Sequence, residues 1–375
     1  MSKPDPDSPD FPTELIRLGE YVWPQGETRQ TLVHTFENLT AKIPWLAKQE
    51  YIQDEDLHSI HEQGLIAACH ERLQGILFNC LDNQFLDWAT TPDEKIEQRV
   101  FVSPPMRQDL LRDWAKLRGL AIVTSLDDVP DDETADAVVF NLSGQHLLRQ
   151  YDSIDNVRAL IRSFSKRKRK VIFGCNSWAW RYMNAITAID MSLPNQVTTP
   201  AFTDKALAAL LEPTISQTYN LTDIRSEASG EPVFERDEDG ELKDPYFTKL
   251  AKRSLGVPWG AIEMFFDDAR AATEDEDTPK DHTATMWLRQ SGSPSVPSHD
   301  HALICLALQN LLIHEPCRSE TIENMLPRPL PQGIWTTLAS LGFISIDDDG
   351  LRHNPRHYAA MRSALGTAGL NLDQL

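Results

Sequence analysis

Apolar residues recur at three- and four-residue spacing along much of the N-terminal quarter of the chain. The clearest example is HSIHEQGLIAACHERLQGILFNCLDNQFLDWA, in which the repeat is carried by Ile60, Leu65, Ile66, Cys69, Leu73, Ile76, Leu77 and Leu81. Such spacing places apolar side chains on one face of an α-helix. Leu15, Leu18 and Val22 repeat it nearer the N-terminus. Residues 11–97 are therefore predicted to be a helical region, after a flexible tail over residues 1–10.

The pattern changes after residue 97, where short apolar runs alternate with helical patterns. The apolar runs are RVFV, GLAIVTSL, ADAVVFNL and KVIFG, and the helical patterns between them include QDLLRDWAKLR and SIDNVRALIRSFSK. Strands that alternate with helices indicate a parallel sheet with crossover helices. The unbroken apolar character of the runs indicates that both faces of the sheet are covered. Residues 98–221 are therefore predicted to form an α/β core.

The rest of the chain is predicted to hold a helical segment and a small C-terminal domain. Residues 222–285 open with an acidic loop rich in helix breakers, followed by two short helices joined at Gly256-Val257-Pro258. Residues 286–375 show three helical patterns, two strands that turn at DDDG, and a closing helix. This order of elements is typical of a winged-helix domain.

Composition and charge exclude several kinds of partner. The chain of 375 residues carries a net charge of −20, which opposes binding to DNA, RNA or anionic lipid. Its five cysteines form no CxxC pair and are odd in number, so neither a zinc site nor a disulfide framework is predicted. We find no apolar run long enough to span a membrane and no apolar region of a secretory signal near the N-terminus. A cytoplasmic protein of two or three domains is expected.

The segment after the first predicted strand has the position of a phosphate-binding loop but lacks its residues. Such a loop needs glycines whose N–H groups approach the phosphate, a lysine, and a Ser or Thr hydroxyl for Mg²⁺. The segment is SPPMRQD, which has no glycine or lysine and has two prolines that lack an N–H. Arg107 is its only cation. The third strand likewise ends in Asn141, where a carboxylate would be needed to hold the magnesium shell.

The end of the fourth predicted strand offers the remaining candidate contacts to a nucleotide. It runs into CNSWAWRY, in which Asn176 could orient a water or a phosphate and Arg181 could contact an anion. In the alternative interpretation, Trp178, Trp180 and Tyr182 pack the following helix onto the sheet, because aromatic side chains at this spacing are usually buried.

Taken together, residues 98–375 resemble bacterial AAA-like (STAND-related) P-loop ATPases with a C-terminal winged helix. RVFVSPPMRQDLLRDWAKLRG is similar in outline to the Walker A strand, loop and helix, ADAVVFNLSG to the Walker B strand, and VIFGCNSWAW to the sensor-1 strand. DPYFTKLAKRSLGVPWGAIEMFFDDAR resembles the helical lid. The resemblance implies an α/β, parallel-sheet P-loop-NTPase-like core with N-terminal helices, a helical lid and a C-terminal winged-helix domain.

The departures from that family change the function which the resemblance implies. Without the Walker A glycines and lysine and the Walker B acid, it implies a catalytically inactive pseudo-ATPase that uses no cofactor. Such a module would act as a scaffold or regulatory subunit that binds a protein partner, a membrane protein included, or further copies of itself. The alternative is an atypical NTPase that holds ATP through Arg107, Asn176 and Arg181.

A further alternative is a DNA-binding regulator that uses the winged helix. The expected recognition helix, PQGIWTTLASLGF, has no basic residue, and the wing carries aspartates at positions 347–349, which would repel phosphates. The chain has one basic cluster, formed by Lys166, Arg167, Lys168, Arg169 and Lys170. This cluster is either a solvated helix end or the contact site for a partner, and it is the predicted partner-binding site.

Overall fold

A computed structural model of the chain describes residues 10–24, 55–91, 97–106, 109–125, 128–129, 136–142, 153–166, 169–193, 195–271 and 286–375. Their contacts divide them into two compact units. The smaller unit comprises the described residues within 1–11, 23–73 and 201–292, and the larger unit those within 12–22, 74–200 and 293–375. Each unit is therefore assembled from segments that are distant in sequence.

Strands and helices are numbered in chain order among the described residues. The strands are β1 (Ile16–Arg17), β2 (Gln98–Ser103), β3 (Ala121–Val123), β4 (Val138–Asn141), β5 (Val171–Asn176), β6 (Asn195–Thr198), β7 (Ile224–Ser226), β8 (Ala269–Ala271), β9 (Met286–Leu288), β10 (Ile344–Asp347) and β11 (Gly350–His353). The α-helices are α1 (Glu55–Leu81), α2 (Asp87–Thr90), α3 (Leu110–Arg118), α4 (Ser153–Lys166), α5 (Ser177–Thr187), α6 (Ile189–Ser192), α7 (Asp204–Ile215), α8 (Tyr246–Arg253), α9 (Pro258–Asp268), α10 (His301–His314), α11 (Ser319–Glu323), α12 (Ile334–Ser340) and α13 (Tyr358–Thr367). A π-helical turn, Asp82–Leu86, links α1 to α2.

A six-stranded sheet forms the centre of the larger unit. Its strand order is β1-β6-β2-β5-β4-β3, in which β1 is antiparallel to β6 and every other neighbouring pair is parallel. The inner strands are apolar because both faces are covered, and Val100, Val139 and Phe173 are all buried. The predicted α/β core with a mostly parallel sheet is thereby confirmed, since β2, β3, β4 and β5 correspond to the four predicted apolar runs.

Helices α3 and α4 pack closely against this sheet. The rings of Phe164 in α4, Phe140 in β4 and Phe173 in β5 meet edge to face, with centroid distances from 5.5 to 6.2 Å. A Cβ at Gly174 of β5 would lie 2.9 Å from Cδ2 of Leu111 in α3. A side chain at residue 174 would therefore require the Leu111 side chain to move.

Residues 11–24 do not form the predicted helix. Within them only β1 has regular structure, and it pairs with residues 197–198 of β6. Gly19 has a φ of 95°, which a helix does not allow, and Pro12 and Pro24 bound the segment. The helix predicted from the apolar spacing was wrong. The edge of β6 supplies backbone hydrogen bonds to this segment that a helix would have made internally.

Several short strands were not predicted. β6 has the polar sequence NQVT, yet Thr198 is fully buried in the sheet. In the smaller unit β7 is parallel and β8 antiparallel to β9, and β7 lies in the stretch predicted to be a loop. Strands of three or four residues carry too little alternation to be recognised from the sequence.

The paired helices of the smaller unit agree with the prediction. α8 ends shortly before Gly256, whose φ of 72° is the left-handed conformation that terminates helices, and α9 begins at Pro258. Proline is favoured in the first helical turn because its missing N–H would have no partner there. Phe247 in α8 and Phe265 in α9 stack, with ring centroids 6.2 Å apart.

The C-terminal part of the larger unit contains α10, α11, α12, the β10–β11 hairpin and α13, in the predicted order. Asp347 is paired with Gly350 across a two-residue turn, as the DDDG sequence predicts. Eleven of the fourteen residues of α10 are buried, since this helix packs against α5, α13 and β11. Among the described residues, no helix has the length and apolar character that crossing a membrane requires.

Candidate functional site

The strand order brings the candidate residues to one edge of the sheet. β2 pairs with β5 so that Ser103 lies opposite Asn176, and β5 pairs with β4 so that Gly174 lies opposite Asn141. The carboxyl ends of β2, β5 and β4 are therefore adjacent, with β5 in the middle. Ligands of open α/β sheets bind at this edge. It is the candidate site.

The segment after β2 lacks the glycines and the lysine of a phosphate-binding loop. Pro104 and Pro105 are buried and lack an N–H. If Ser103 is aligned with the first glycine of the motif G-x-x-x-x-G-K-[ST], Asp109 falls on the lysine and Leu110 on the Ser or Thr. The charge at the lysine position is thus reversed. Arg107 lies outside the described residues.

Asp109 caps the N-terminus of α3 with its side-chain carboxylate. Its Oδ1 accepts a hydrogen bond from the backbone N–H of Arg112 at 3.1 Å, and its Oδ2 accepts one from Nδ2 of Asn141 at 2.7 Å. We call this pair of contacts the Asp109–Asn141 clasp. A helix N-terminus carries partial positive charge and attracts anions. The anion present at this helix is part of the chain.

Asn176 is engaged on both sides of its amide. Its Oδ1 caps α5 by accepting the backbone N–H of Ala179 at 2.7 Å, and its Nδ2 donates to the carbonyl of Leu312 in α10 at 3.2 Å. The residue therefore links the end of β5 to the C-terminal helices of the same unit. Both contacts hold the Asn176 amide between α5 and α10.

Arg181 lies further along α5, where its Nη1 donates to Oε1 of Gln374 at 3.1 Å. Of the neighbours in the alternative interpretation, Trp178 and Trp180 are each only 2% exposed, as it predicts, whereas Tyr182 is only partly buried. The structure therefore brings Asn141 and Asn176 to the same edge, joins Asp109 to Asn141, and directs Arg181 to the C-terminal segment.

A buried polar cluster next to Asn176 was not predicted. Oδ2 of Asp373 accepts hydrogen bonds from Ser177 Oγ and Tyr358 OH, both at 2.6 Å, and its Oδ1 accepts one from Arg362 Nε at 2.9 Å. Burial, together with the charge of Asp373, raises the pKa of Tyr358 well above its ordinary value. No sequence signal joins Asp373 to Ser177, because 196 positions separate them.

Two cations of the predicted partner-binding cluster are used inside the fold. Lys170 is 6% exposed, and its Nζ donates to the carbonyls of Trp88, at 2.9 Å, and Thr91 at the end of α2. Arg169, also 6% exposed, donates to the carbonyl of Asp136 at 3.2 Å. Cations favour the carbonyl end of a helix. Lys166 is exposed, and the positions between it and Arg169 lie outside the described residues.

Cysteine and metal chemistry have little support in the described residues. No group of three or more His, Cys, Asp or Glu side chains there could hold a metal ion. All five cysteines are buried. Burial raises the pKa of Cys69, Cys80 and Cys305 to about 11, so these thiols stay protonated and unreactive at neutral pH.

Comparisons with known proteins give weak likenesses. No family model matches this chain, and no curated protein does. Among solved structures it is similar to the ORC2 protein of Aeropyrum pernix in its ADPNP-ADP complexes, with 13% identity, a TM-score of 0.29, and coverage of 86% of this chain and 96% of that one. For Cdc6p from Pyrobaculum aerophilum the values are 11%, 0.27, 87% and 98%. For the Walker-type ATPase of Pyrococcus abyssi they are 10%, 0.21, 68% and 66%. Likenesses at these identities and TM-scores carry no information about function.

Proposed function

We propose that this protein is an AAA-like pseudo-ATPase, with a P-loop-NTPase-like core, a helical lid and a C-terminal winged helix, that does not hydrolyse ATP. It acts as a scaffold or regulatory subunit through contacts with another protein or with copies of its own chain. The order of the elements supports the proposal. β2, β4 and β5 follow one another as the Walker A, Walker B and sensor-1 strands would.

The Asp109–Asn141 clasp is the observation that carries the proposal. A triphosphate at the start of α3 would bring several negative charges against the Asp109 carboxylate, which already accepts the N–H of Arg112. Like charges at this distance repel each other. The position that would hold Mg²⁺ is taken by the neutral Asn141, whose amide donates to Asp109. The residues at the phosphate position and at the magnesium position therefore both disfavour the binding of ATP.

The charge of the chain supports a protein partner over a nucleic acid. A net charge of −20 repels polyanions, and α12, the helix in the recognition position, contains no lysine or arginine. In the basic cluster, Arg169 and Lys170 already bind backbone carbonyls of the protein. These observations weigh against binding through contacts with phosphates.

Titration calorimetry with Mg-ATP tests the pseudo-ATPase assignment. We expect no heat of binding up to millimolar nucleotide and no release of phosphate above the buffer rate. The matched comparison is the D109K variant, which places an ammonium group where the carboxylate lies and should gain weak affinity for ATP. Saturable binding of Mg-ATP to the unmodified chain would contradict the assignment.

The scaffold role is tested by a separate measurement. The full chain is purified from its native host under mild conditions, and its mass is determined by light scattering together with the identity of any chain present in a fixed ratio. We expect a stoichiometric complex. A monomer without such a partner would refute the scaffold role and would leave the nucleotide result unaffected.

A further inference from the structure

β10 is an edge strand of the β10–β11 hairpin. β11 has a neighbour on each side: it pairs with β10, and its Leu351 exchanges backbone hydrogen bonds with Cys317 at 2.8 and 3.2 Å. β10 pairs with β11 alone among the residues that the structure describes. One side of its backbone is therefore open to a further strand.

The register shows which backbone groups face the open side. Asp347 and Gly350 flank the two-residue turn and form a hydrogen-bonded pair, and such pairs alternate with non-hydrogen-bonded ones along an antiparallel ladder. Ile346, opposite Leu351, is therefore a non-hydrogen-bonded position. Its N–H and C=O point away from β11. The bond between Leu351 and Cys317, on the far side of β11, agrees with this alternation.

The side chains around this edge combine an apolar contact with negative charge. Ile346 is 58% exposed and Leu341, just before the hairpin, is 36% exposed. The turn contributes Asp348, which is exposed, and Asp349, which is paired with Arg352 at 2.5 Å. The three aspartates at positions 347–349 outnumber the one arginine of the hairpin.

The open edge, the exposed Ile346 and the negative charge together determine which kind of segment can bind to β10. Proteins usually protect an edge strand with charge or proline, since an open edge is a template for another strand. Here the charge is negative, so it repels a second copy of this chain, whose net charge is −20, and it repels nucleic acid. It attracts a basic segment. The exposed Ile346 offers an apolar contact directly before the three aspartates.

From these observations we infer that β10 binds an extended, basic segment of a partner protein as an added strand. The backbone of Ile346 supplies the hydrogen bonds, its side chain packs against an apolar residue of the segment, and Asp348 attracts the basic residues that flank it. The inference rests on the proposed protein-binding function and names the surface and the chemistry of the partner.

The experiment uses a labelled ten-residue peptide of alternating Lys and Val as the probe, with fluorescence anisotropy on the full chain. Three further peptides serve as controls. One has Glu in place of Lys, one is N-methylated at every second residue along one edge of the strand, and one is N-methylated at every second residue along the other edge.

I346P is the decisive variant of the protein. Proline there removes an N–H that takes no part in the hairpin ladder and is tolerated on an open edge. I346T retains the N–H, and M191T is the matched control at another exposed apolar residue, 84% exposed.

We expect saturable binding of the Lys–Val peptide that weakens by at least about tenfold in I346P, by less in I346T, and not at all in M191T. Binding should also weaken in D348N and at higher salt, because the attraction between charges is screened. N-methylation along the edge that faces β10 should abolish it. Hydrogen exchange at the amide of residue 346 in the unmodified chain should slow when the peptide binds.

Several outcomes overturn the inference. These are an unmodified chain that fails to bind the peptide, a Glu peptide or both N-methylated peptides that bind equally well, and an I346P variant that melts normally and binds as the unmodified chain does. If such a result accompanies a stoichiometric partner in the purification, the scaffold function stands and only this surface is wrong. If the purified protein is instead a monomer without a partner, the proposed scaffold function itself is contradicted.

Discussion

Among single residues, Asp109 does most to determine what the edge of the sheet can bind. Its carboxylate caps α3 and joins that helix to the end of β4 through Asn141. Capping by aspartate is favoured because the start of a helix carries unpaired N–H groups and partial positive charge. The clasp therefore stabilises the protein through the same groups that would otherwise hold a phosphate.

Replacing Asp109 with alanine should lower the free energy of unfolding by about 1–2 kcal/mol, since α3 loses its cap and Asn141 loses an acceptor. N141A should cost about 1 kcal/mol. The double variant should cost less than the sum of the two, because they remove the same hydrogen bond. Urea denaturation measures all three. D113A, in the same helix, is the control and should cost less. Strict additivity of the first two changes would mean that the clasp contributes nothing.

The cysteines yield a second prediction at this scale. Buried thiols with a raised pKa should react with Ellman's reagent far more slowly in the native protein than in the same sample unfolded in guanidinium, where all five should react. Absorbance of the released thiolate follows both reactions. A native thiol that reacts as fast as free cysteine would show that its burial is wrong.

At the scale of elements, an ion pair with a buried carboxylate joins α8 to the end of α9. Arg253 donates to Asp268 with Nη1–Oδ2 at 2.6 Å and Nη2–Oδ1 at 3.2 Å, and Tyr246 OH donates to Oδ2 of Asp268 at 2.9 Å. Asp268 is fully buried, and it also accepts the backbone N–H of Ser291. A buried carboxylate requires this many donors because desolvation is costly.

R253M should destabilise the protein by about 3 kcal/mol, because it leaves the charge of Asp268 buried without its cation. Y246F removes one of several hydrogen bonds and should cost about 1 kcal/mol. K249M, at an exposed position of the same helix, should be close to neutral. Thermal and urea unfolding measure the series. If R253M and K249M melted alike, the pair would not stabilise the smaller unit.

At the scale of the whole molecule, each of the two units contains buried tyrosines beside carboxylates. Burial, with the charge of Asp373, raises the pKa of Tyr21 and of Tyr358 in the larger unit. In the smaller unit, burial and Asp268 raise the pKa of Tyr246. The folded protein therefore holds phenolic protons that the unfolded chain releases. Stability that depends on them is present at neutral pH and lost in alkali.

The free energy of unfolding should fall as the pH rises above about 10, where the tyrosines of the unfolded chain lose their protons while those of the folded chain keep them. Urea midpoints measured between about pH 8 and about pH 11 check the fall. Absorbance near 295 nm should show the buried phenols ionising only as the protein unfolds. In the variants Y246F and Y358F the fall should be shallower. Midpoints that do not depend on pH would contradict the raised pKa values.

Much of the local structure could be predicted from the chain. The apolar runs predicted β2 to β5, the pattern QDLLRDWAKLR predicted α3, and Gly256 and Pro258 marked the break between α8 and α9. These signals depend on neighbours within a few residues. The domain boundaries stay a prediction, and the division of the chain into two units interleaves distant segments.

The sequence by itself determined that the segment after β2 lacks the glycines and the lysine of a phosphate-binding loop, because residue types are read directly from the chain. Only the tertiary structure decided which contacts this segment and its neighbours make. Asn141 reaches Asp109, β1 pairs with β6, and Asp373 reaches Ser177 through contacts between residues far apart in the chain. Local patterns record propensity and burial, whereas the partner of a buried polar group depends on which segments the fold brings together.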